Sequence, residues 1–91
     1  MKMMLSEIAQ KTNGKHIGAN VEITSVGIDT RTLKAGDLYV AIKGLNFDGN
    51  EFVDRAERAG ASAAILNSGF TSSMPHVLVE DTRVALGQLA S

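Results

Sequence analysis

Residues 26–50 read VGIDTRTLKAGDLYVAIKGLNFDGN, and the way this stretch folds decides the rest of the chain. An apolar run, Val26 to Ile28, ends in the polar triplet Asp29-Thr30-Arg31. A turn at Ala35-Gly36-Asp37 follows, and then Leu38-Tyr39-Val40-Ala41-Ile42, the most apolar strand candidate in the sequence. Being apolar on both faces, it is expected to be a central strand covered on both sides. It stops at Lys43-Gly44, and Leu45-Asn46-Phe47-Asp48-Gly49 leads to a helix start. If the two strands are neighbours, their ends bring hydroxyl, amide, cationic and backbone N–H groups face to face. That set suits an anionic, hydrogen-bonding ligand such as a nucleotide diphosphate.

Downstream, Asn50 is expected to cap a helix from Glu51 to Ala59, with Phe52, Ala56 and Ala59 as its buried stripe and Val53 beside it. Glu51–Arg55 and Asp54–Arg58 have the spacing and order of helical ion pairs. Gly60 is placed to end the helix, and Ala63 to Leu66 forms a second buried strand. Strand, helix, strand in this order predicts a right-handed crossover between parallel strands. A Ser/Gly-rich loop from Asn67 to Pro75 is expected to be the most mobile segment. Val77-Leu78-Val79 is another strand, after which Asp81 caps a helix through Val84, Leu86 and Leu89. That helical pattern reaches Ser91 without a stop signal, which implies a piece of something longer.

Upstream, Leu5, Ile8, Ala9 and Thr12 recur with helical spacing, and Gly14 is placed to stop that helix in the left-handed conformation. Two weak strand candidates, Lys15 to Ile17 and Val21 to Ile23, flank a turn at Gly18-Ala19-Asn20. Ser25 to Asp29 is the next strand, with Val26 and Ile28 on one face. The expected architecture over residues 1–91 is one α/β domain. Its sheet is small, mixed and largely parallel, with helices on both faces.

Composition narrows the function classes. Hydrophobic residues make up 44% of the 91, the proportion of a globular domain rather than a disordered chain. Nothing approaches a membrane span, and the N-terminus turns polar too early for a secretory signal, so the chain reads as cytoplasmic with no membrane insertion. Cysteine is absent and the two histidines, His16 and His76, are far apart, which removes disulfide and thiolate-metal frameworks and argues against a metal cage. Net charge is −1 with the charges interspersed, so no nucleic-acid partner is implied.

Several residues have two readings. Thr30 offers a hydroxyl and a backbone N–H to a ligand, or belongs to a simple turn. Arg31 reads as structural, paired with Asp29 or Asp37. Lys43 is a phosphate counter-charge or a solvated strand end. Gly44 permits close backbone approach or a positive φ. Phe47 stacks on a base or plugs the domain edge. Asp48-Gly49 is a turn, and Asp81-Thr82-Arg83 a helix start. Glu51, Asp54 and Glu57 form a solvated helix face rather than a catalytic pair. Gly44 to Gly49 has the glycine spacing of a phosphate loop, but Asn50-Glu51 follows where lysine and a hydroxyl are required. No nucleophile–base arrangement is visible.

In combination and order, Asp-Thr-Arg, Gly-Asp-Leu-Tyr-Val-Ala, Lys-Gly and Asp-Gly closely resemble the N-terminal domain of the Mur ligases, over about Leu5 to Ala90. The later VEDTRVALGQLA resembles the MurF type, which adds D-alanyl-D-alanine to UDP-MurNAc-tripeptide. The resemblance implies an ATP-dependent ligase of peptidoglycan biosynthesis, with roles in cell-wall biogenesis, cell shape and cell division. This domain's share is to bind the UDP moiety of UDP-MurNAc-peptide. It places uridine-contacting positions on Ile28 and Thr30 and a substrate-contacting stretch on Leu45, Asn46 and Phe47, with Asn46 suited to a uracil edge. Arg31, Lys43 and Gly44 complete the candidate substrate-binding set. ATP, magnesium and the catalytic residues are expected in a central domain outside this chain, and the incoming dipeptide on a third. Alone the chain is expected to be catalytically inactive. Two alternatives stand: the MurE type, which adds the third amino acid, and a free-standing, non-catalytic nucleotide- or protein-binding module.

Overall fold

A computed structural model of the chain describes residues 1–90. Five strands form one sheet in the order β2 (Lys15–Ile17), β7 (His76–Val79), β6 (Ala63–Asn67), β5 (Asp37–Val40), β4 (Ser25–Gly27). β4, β5, β6 and β7 run parallel, and β2 is antiparallel at the edge. The small, largely parallel sheet expected from the apolar runs is present. A separate two-stranded pair joins β1 (Met3–Met4) to β3 (Glu22–Ile23). The two weak strands flanking Gly18 therefore exist but do not pair with each other.

Alternation along the central strands divides the core. Leu38 and Val40, Ala63 and Ile65, and Val77 and Val79 point to one face. There they meet Leu5, Ile8 and Ala9 of α1 (Leu5–Thr12) and Ala85 of α3 (Thr82–Leu89). Tyr39, Ala41, Ala64 and Leu66 point to the other face, against Val53 and Ala56 of α2 (Val53–Ala59). Leu33, Ala61 and Met74 complete that second cluster, with Phe70 and Leu78 packed on it. The loop before β7 is thus tied to the core through Met74 and Phe70. Helices cover both faces, as a parallel sheet requires.

Several local expectations are corrected. Asn13 ends α1 in the left-handed conformation at φ 54°, not Gly14. Gly14 is needed for space, since a Cβ there would overlap the Val77 and Val79 side chains. β4 stops at Gly27, so Ile28 leaves the sheet and is 53% exposed. The residues after Asp48 begin as a 3-10 turn, Gly49–Phe52, before α2 proper. The Asp48 carboxylate caps it by accepting from Asn50 N–H, so Asp48, not Asn50, is the cap. Glu51 consequently lies outside the α-helix, and Arg55 packs over the Phe52 ring rather than pairing with it. Ala59 is exposed. α3 packs through Thr82, Ala85, Leu86 and Leu89 and turns Val84 outward, 55% exposed. Both slips arise from reading a helix phase off short stretches, where one residue of offset rotates the buried face by about 100°. Among the described residues, no helix is long and apolar enough to cross a membrane.

Asp37, the first residue of β5, holds the entry to the parallel sheet. Its carboxylate accepts from the Ser25 hydroxyl of β4 and from Lys34 N–H at 3.0 Å, with Lys34 Nζ at 3.7 Å. The Ser25 hydrogen bond, helped by Lys34, lowers its pKa against the opposing effect of burial. A lowered folded pKa means that these contacts stabilise fully above the unfolded value, about 3.9, and are lost as pH falls through the folded value. Asp37→Asn is expected to cost about 1 kcal/mol near neutral pH. The gap from wild type should close as pH falls from the unfolded value, about 3.9, through the lowered folded value, as read by urea denaturation. Parallel stability curves from pH 7 to pH 2 would contradict this account.

Candidate functional site

Two chain reversals and the start of α2 converge at the carboxyl ends of β4 and β5. The first reversal, residues 28–31, is an Asx-type turn: Arg31 N–H donates to Asp29 Oδ1 at 2.9 Å. The Arg31 guanidinium folds back onto the same carboxylate, with Nε at 3.0 Å from Oδ1 and Nη2 at 2.8 Å from Oδ2. These side-chain bonds, more than the backbone one, hold the Asp29 carboxyl down at about 2. Of the two partners allowed for Arg31, the structure selects Asp29. Asp37 takes Lys34 instead. Thr30 is half-buried, and neither its hydroxyl nor its N–H is hydrogen-bonded among the described residues.

The second reversal is a small hairpin. Gly44 N–H donates to Phe47 O at 2.6 Å, Lys43 and Asp48 form an antiparallel bridge, and Gly49 N–H donates to Ile42 O at 2.9 Å. Leu45 stands at the tip, fully exposed. Phe47 is not part of the core. It is 51% exposed and stacks on Phe52, ring centroids 5.0 Å apart and planes inclined by 17°. Gly44 is not where glycine is needed: its φ is not positive, and a Cβ there would lie 3.7 Å from Phe47 O. The tight position is Gly49, where a Cβ would come within 2.7 Å of Ile42 N and 3.0 Å of the Tyr39 hydroxyl. That buried hydroxyl donates to Gly49 O at 2.8 Å, and burial raises its pKa.

A cleft of about 510 Å³ opens between the reversals. It is lined by Ile28, Asp29, Thr30, Arg31 and Phe47, with Tyr39, Phe52 and Arg55 around them. The predicted Ile28, Thr30, Arg31 and Phe47 thus meet in one place. Lys43, Gly44 and Leu45 do not join them. They wall a second cleft of about 720 Å³ on the other side of the hairpin, facing Asn67, Phe70 and residues 81–83. Asn46 lines neither, bordering a smaller hollow of about 310 Å³ on the hairpin itself.

The polar groups of the second cleft largely satisfy one another. The Asn50 amide donates to Asn67 Oδ1 and Asp48 Oδ1, both at 2.8 Å, and accepts from Asn67 N–H at 2.9 Å. Asn67 Nδ2 donates to Glu80 O at 3.0 Å. Asp81 caps α3 as expected, accepting from Arg83 N–H at 2.9 Å and Val84 N–H at 3.3 Å. Arg83 then reaches across to Lys43 O at 3.2 Å. Sequence reasoning missed Tyr39, Phe52 and Arg55 as site residues, and missed the Asn50–Asn67 link. The Phe52–Arg55 spacing of three residues was the one available signal for the guanidinium-on-ring contact. His76 is buried, its Nδ1–H donating to Met74 O at 2.8 Å.

No group of three or more potential metal-ligating side chains occurs among the described residues. The sequence carries no phosphate loop.

Comparison with family models matches residues 22–91 to the Mur ligase family, catalytic domain. The chain belongs to the Mur ligase family. The UDP-N-acetylmuramoyl-tripeptide–D-alanyl-D-alanine ligase of Escherichia coli (strain K12) is 37% identical over 91 residues, 100% of this chain and 20% of that protein. The UDP-N-acetylmuramoyl-L-alanyl-D-glutamate–2,6-diaminopimelate ligase of Aquifex aeolicus (strain VF5) is 40% identical over 68 residues, 75% of this chain and 14% of that protein. A crystal structure of MurF from Acinetobacter baumannii superposes with a TM-score of 0.87 at 30% identity, covering 98% of this chain and 20% of that one. This Mur ligase chain therefore spans about a fifth of the length of the Escherichia coli relative and of the Acinetobacter structure. The resemblance read from the motifs of residues 29–49 holds, and the fold it implied is the fold observed.

Proposed function

We propose that this chain is the part of a cytoplasmic, ATP-dependent Mur ligase that holds the uridine diphosphate end of UDP-N-acetylmuramoyl-peptide. The whole protein would add D-alanyl-D-alanine to the tripeptide precursor. The observation that carries this reading is the shared cleft, lined both by Thr30, whose hydroxyl and N–H are not hydrogen-bonded among the described residues, and by the half-exposed Phe47. A hydrogen-bonding edge beside an exposed aromatic face suits a nucleobase and its ribose. Ile28, Thr30, Arg31 and Phe47 form the inner contact set. Lys43, Gly44, Leu45 and Asn46 lie on the hairpin that separates the clefts, within reach of a ligand extending over its rim.

Anchoring the nucleotide end is remote from bond formation. Its effect is to position the precursor's terminal carboxylate, which the family reaction activates as an acyl phosphate for attack by the dipeptide. ATP and magnesium would be held by a central domain and the dipeptide by a third. Full-length coverage by D-alanyl-D-alanine ligases favours this over the diaminopimelate-adding type, whose Aquifex relative aligns over 75% of the chain.

NMR titration of the 91-residue chain with UDP is the test. Shifts should concentrate at residues 28–31 and 47. Thr30→Ala should weaken binding roughly tenfold, the effect of losing a ligand hydrogen bond, with the melting temperature almost unchanged. Shifts confined to residues distant from the cleft, or a large stability loss in the variant, would overturn the assignment.

A further inference from the structure

The cleft contains three charged side chains, Asp29, Arg31 and Arg55. Arg31 is the cation that the Asp-Thr-Arg motif advertises, but it is spent locally. Its guanidinium grips Asp29 through three contacts of 2.8–3.2 Å, and its backbone N–H serves the same carboxylate. Beside Asp29 the Arg31 charge is offset, so the pair as a whole presents little net positive charge to an incoming anion. Arg55 is different. Among the described residues no carboxylate lies within 4.0 Å of it. Its guanidinium carbon lies 5.1 Å from the Phe52 ring centroid, and Phe52 is in turn stacked with Phe47.

We infer that Arg55, not Arg31, is the residue that meets the diphosphate of the bound nucleotide, with the Phe47–Phe52 stack holding it at the cleft. This deepens the site reading above and rests on it. Three observations converge. Arg55 is the unbalanced positive charge of the cleft. It projects from the first turn of a helix whose other face is locked in the core by Val53 and Ala56. Its position over an aromatic ring restricts a side chain that would otherwise sample many rotamers, so less freedom is lost when an anion binds. The planar fork of arginine can then give two parallel hydrogen bonds to phosphate oxygens. Phe47 and Phe52 therefore act on the phosphates through Arg55, as positioning residues, while the exposed side of Phe47 stays available to the base.

The test compares UDP with uridine, which share the base and ribose but differ in charge, on wild type, Arg55→Gln, Arg55→Lys and Thr30→Ala. Arg55→Gln should weaken UDP roughly tenfold and leave uridine within about twofold, and should flatten the salt dependence of UDP binding. Arg55→Lys should recover part of the UDP preference, because the charge is kept and the fork is lost. Thr30→Ala should weaken both ligands alike. If Arg55→Gln leaves UDP binding unchanged while Thr30→Ala abolishes it, the site stands and the assignment to Arg55 falls. An equal loss of UDP and uridine in Arg55→Gln would make Arg55 merely structural and also overturn the inference. If wild type binds neither ligand at the cleft, the site reading fails and the inference with it.

Discussion

Replacing Asn50 by alanine is expected to lower the melting temperature by roughly 10–20 °C. Asn50 is 2% exposed and uses its whole amide: Oδ1 accepts from Asn67 N–H, and Nδ2 donates to Asn67 Oδ1 and Asp48 Oδ1. Alanine removes those bonds and leaves the Asn67 N–H, at the carboxyl end of β6, without its side-chain partner. The cost of an orphaned donor and acceptor, with the loss of the bonds themselves, is about 2–3 kcal/mol. In a domain of this size each kilocalorie moves the midpoint by about 4–8 °C. Calorimetry or thermal circular dichroism reads the shift. Asn67→Ala provides a control: if the two residues act as one link, the double variant is little worse than the worse single variant. Full additivity, or a shift of only a degree or two for Asn50→Ala, would show that this network does not brace the hairpin.

Gly49→Ala is expected to have the second-largest effect, and on binding as well as stability. The added methyl would stand 2.7 Å from Ile42 N and 2.9 Å from Ile42 O, both backbone atoms just beyond β5, and 3.0 Å from the Tyr39 hydroxyl. Backbone in a packed sheet has little room to yield, so the hairpin must move outward. That movement opens the Tyr39–Gly49 hydrogen bond and shifts Phe47, which follows the same hairpin. Overpacking of this kind costs about 1–3 kcal/mol. UDP binding should fall further than the stability loss alone would produce, because one wall of the cleft is displaced. Gly44→Ala is the matched control: its Cβ would meet nothing closer than 3.7 Å, and both stability and binding should stay near wild type. If the two variants behave alike, the steric account of Gly49 is wrong.

The existence of the central strands and the parallel pairing across the helix were legible because those strands are apolar on both faces. Leu38 to Ala41 and Ala63 to Leu66 have no soluble alternative to burial between two layers of helices, and a helix between them makes the pairing parallel. The convergence of residues 28–31 with Phe47 was conditional on the two strands being neighbours, and the parallel pairing of β4 with β5 supplies that condition, delivering their carboxyl ends to the same edge. Helix phase was less legible. Asp48, Gly49 and Asn50 all suit a helix start, and only the packing of Asn50 against Asn67 decides that Asp48 is the cap and that a 3-10 turn comes first. That choice in turn moves Glu51 out of register with Arg55 and leaves the arginine facing the cleft.

The amino-acid sequence by itself determined the family, the parallel sheet with helices on both faces, and the two reversals that form the cleft. Each of these follows from local periodicity and the order of short motifs. Only the tertiary structure decided which charges are available. Arg31 is neutralised by a carboxylate two residues away, Arg55 is held over a ring in its own helix start, and Lys43 lies on the far side of the hairpin. Sequence records which side chains are charged. Whether a charge is offered to a ligand or already compensated depends on distances of a few ångströms, because the Coulomb interaction falls with separation and with exposure to water. Those distances exist only once the hairpin, the turn and the helix have packed against one another.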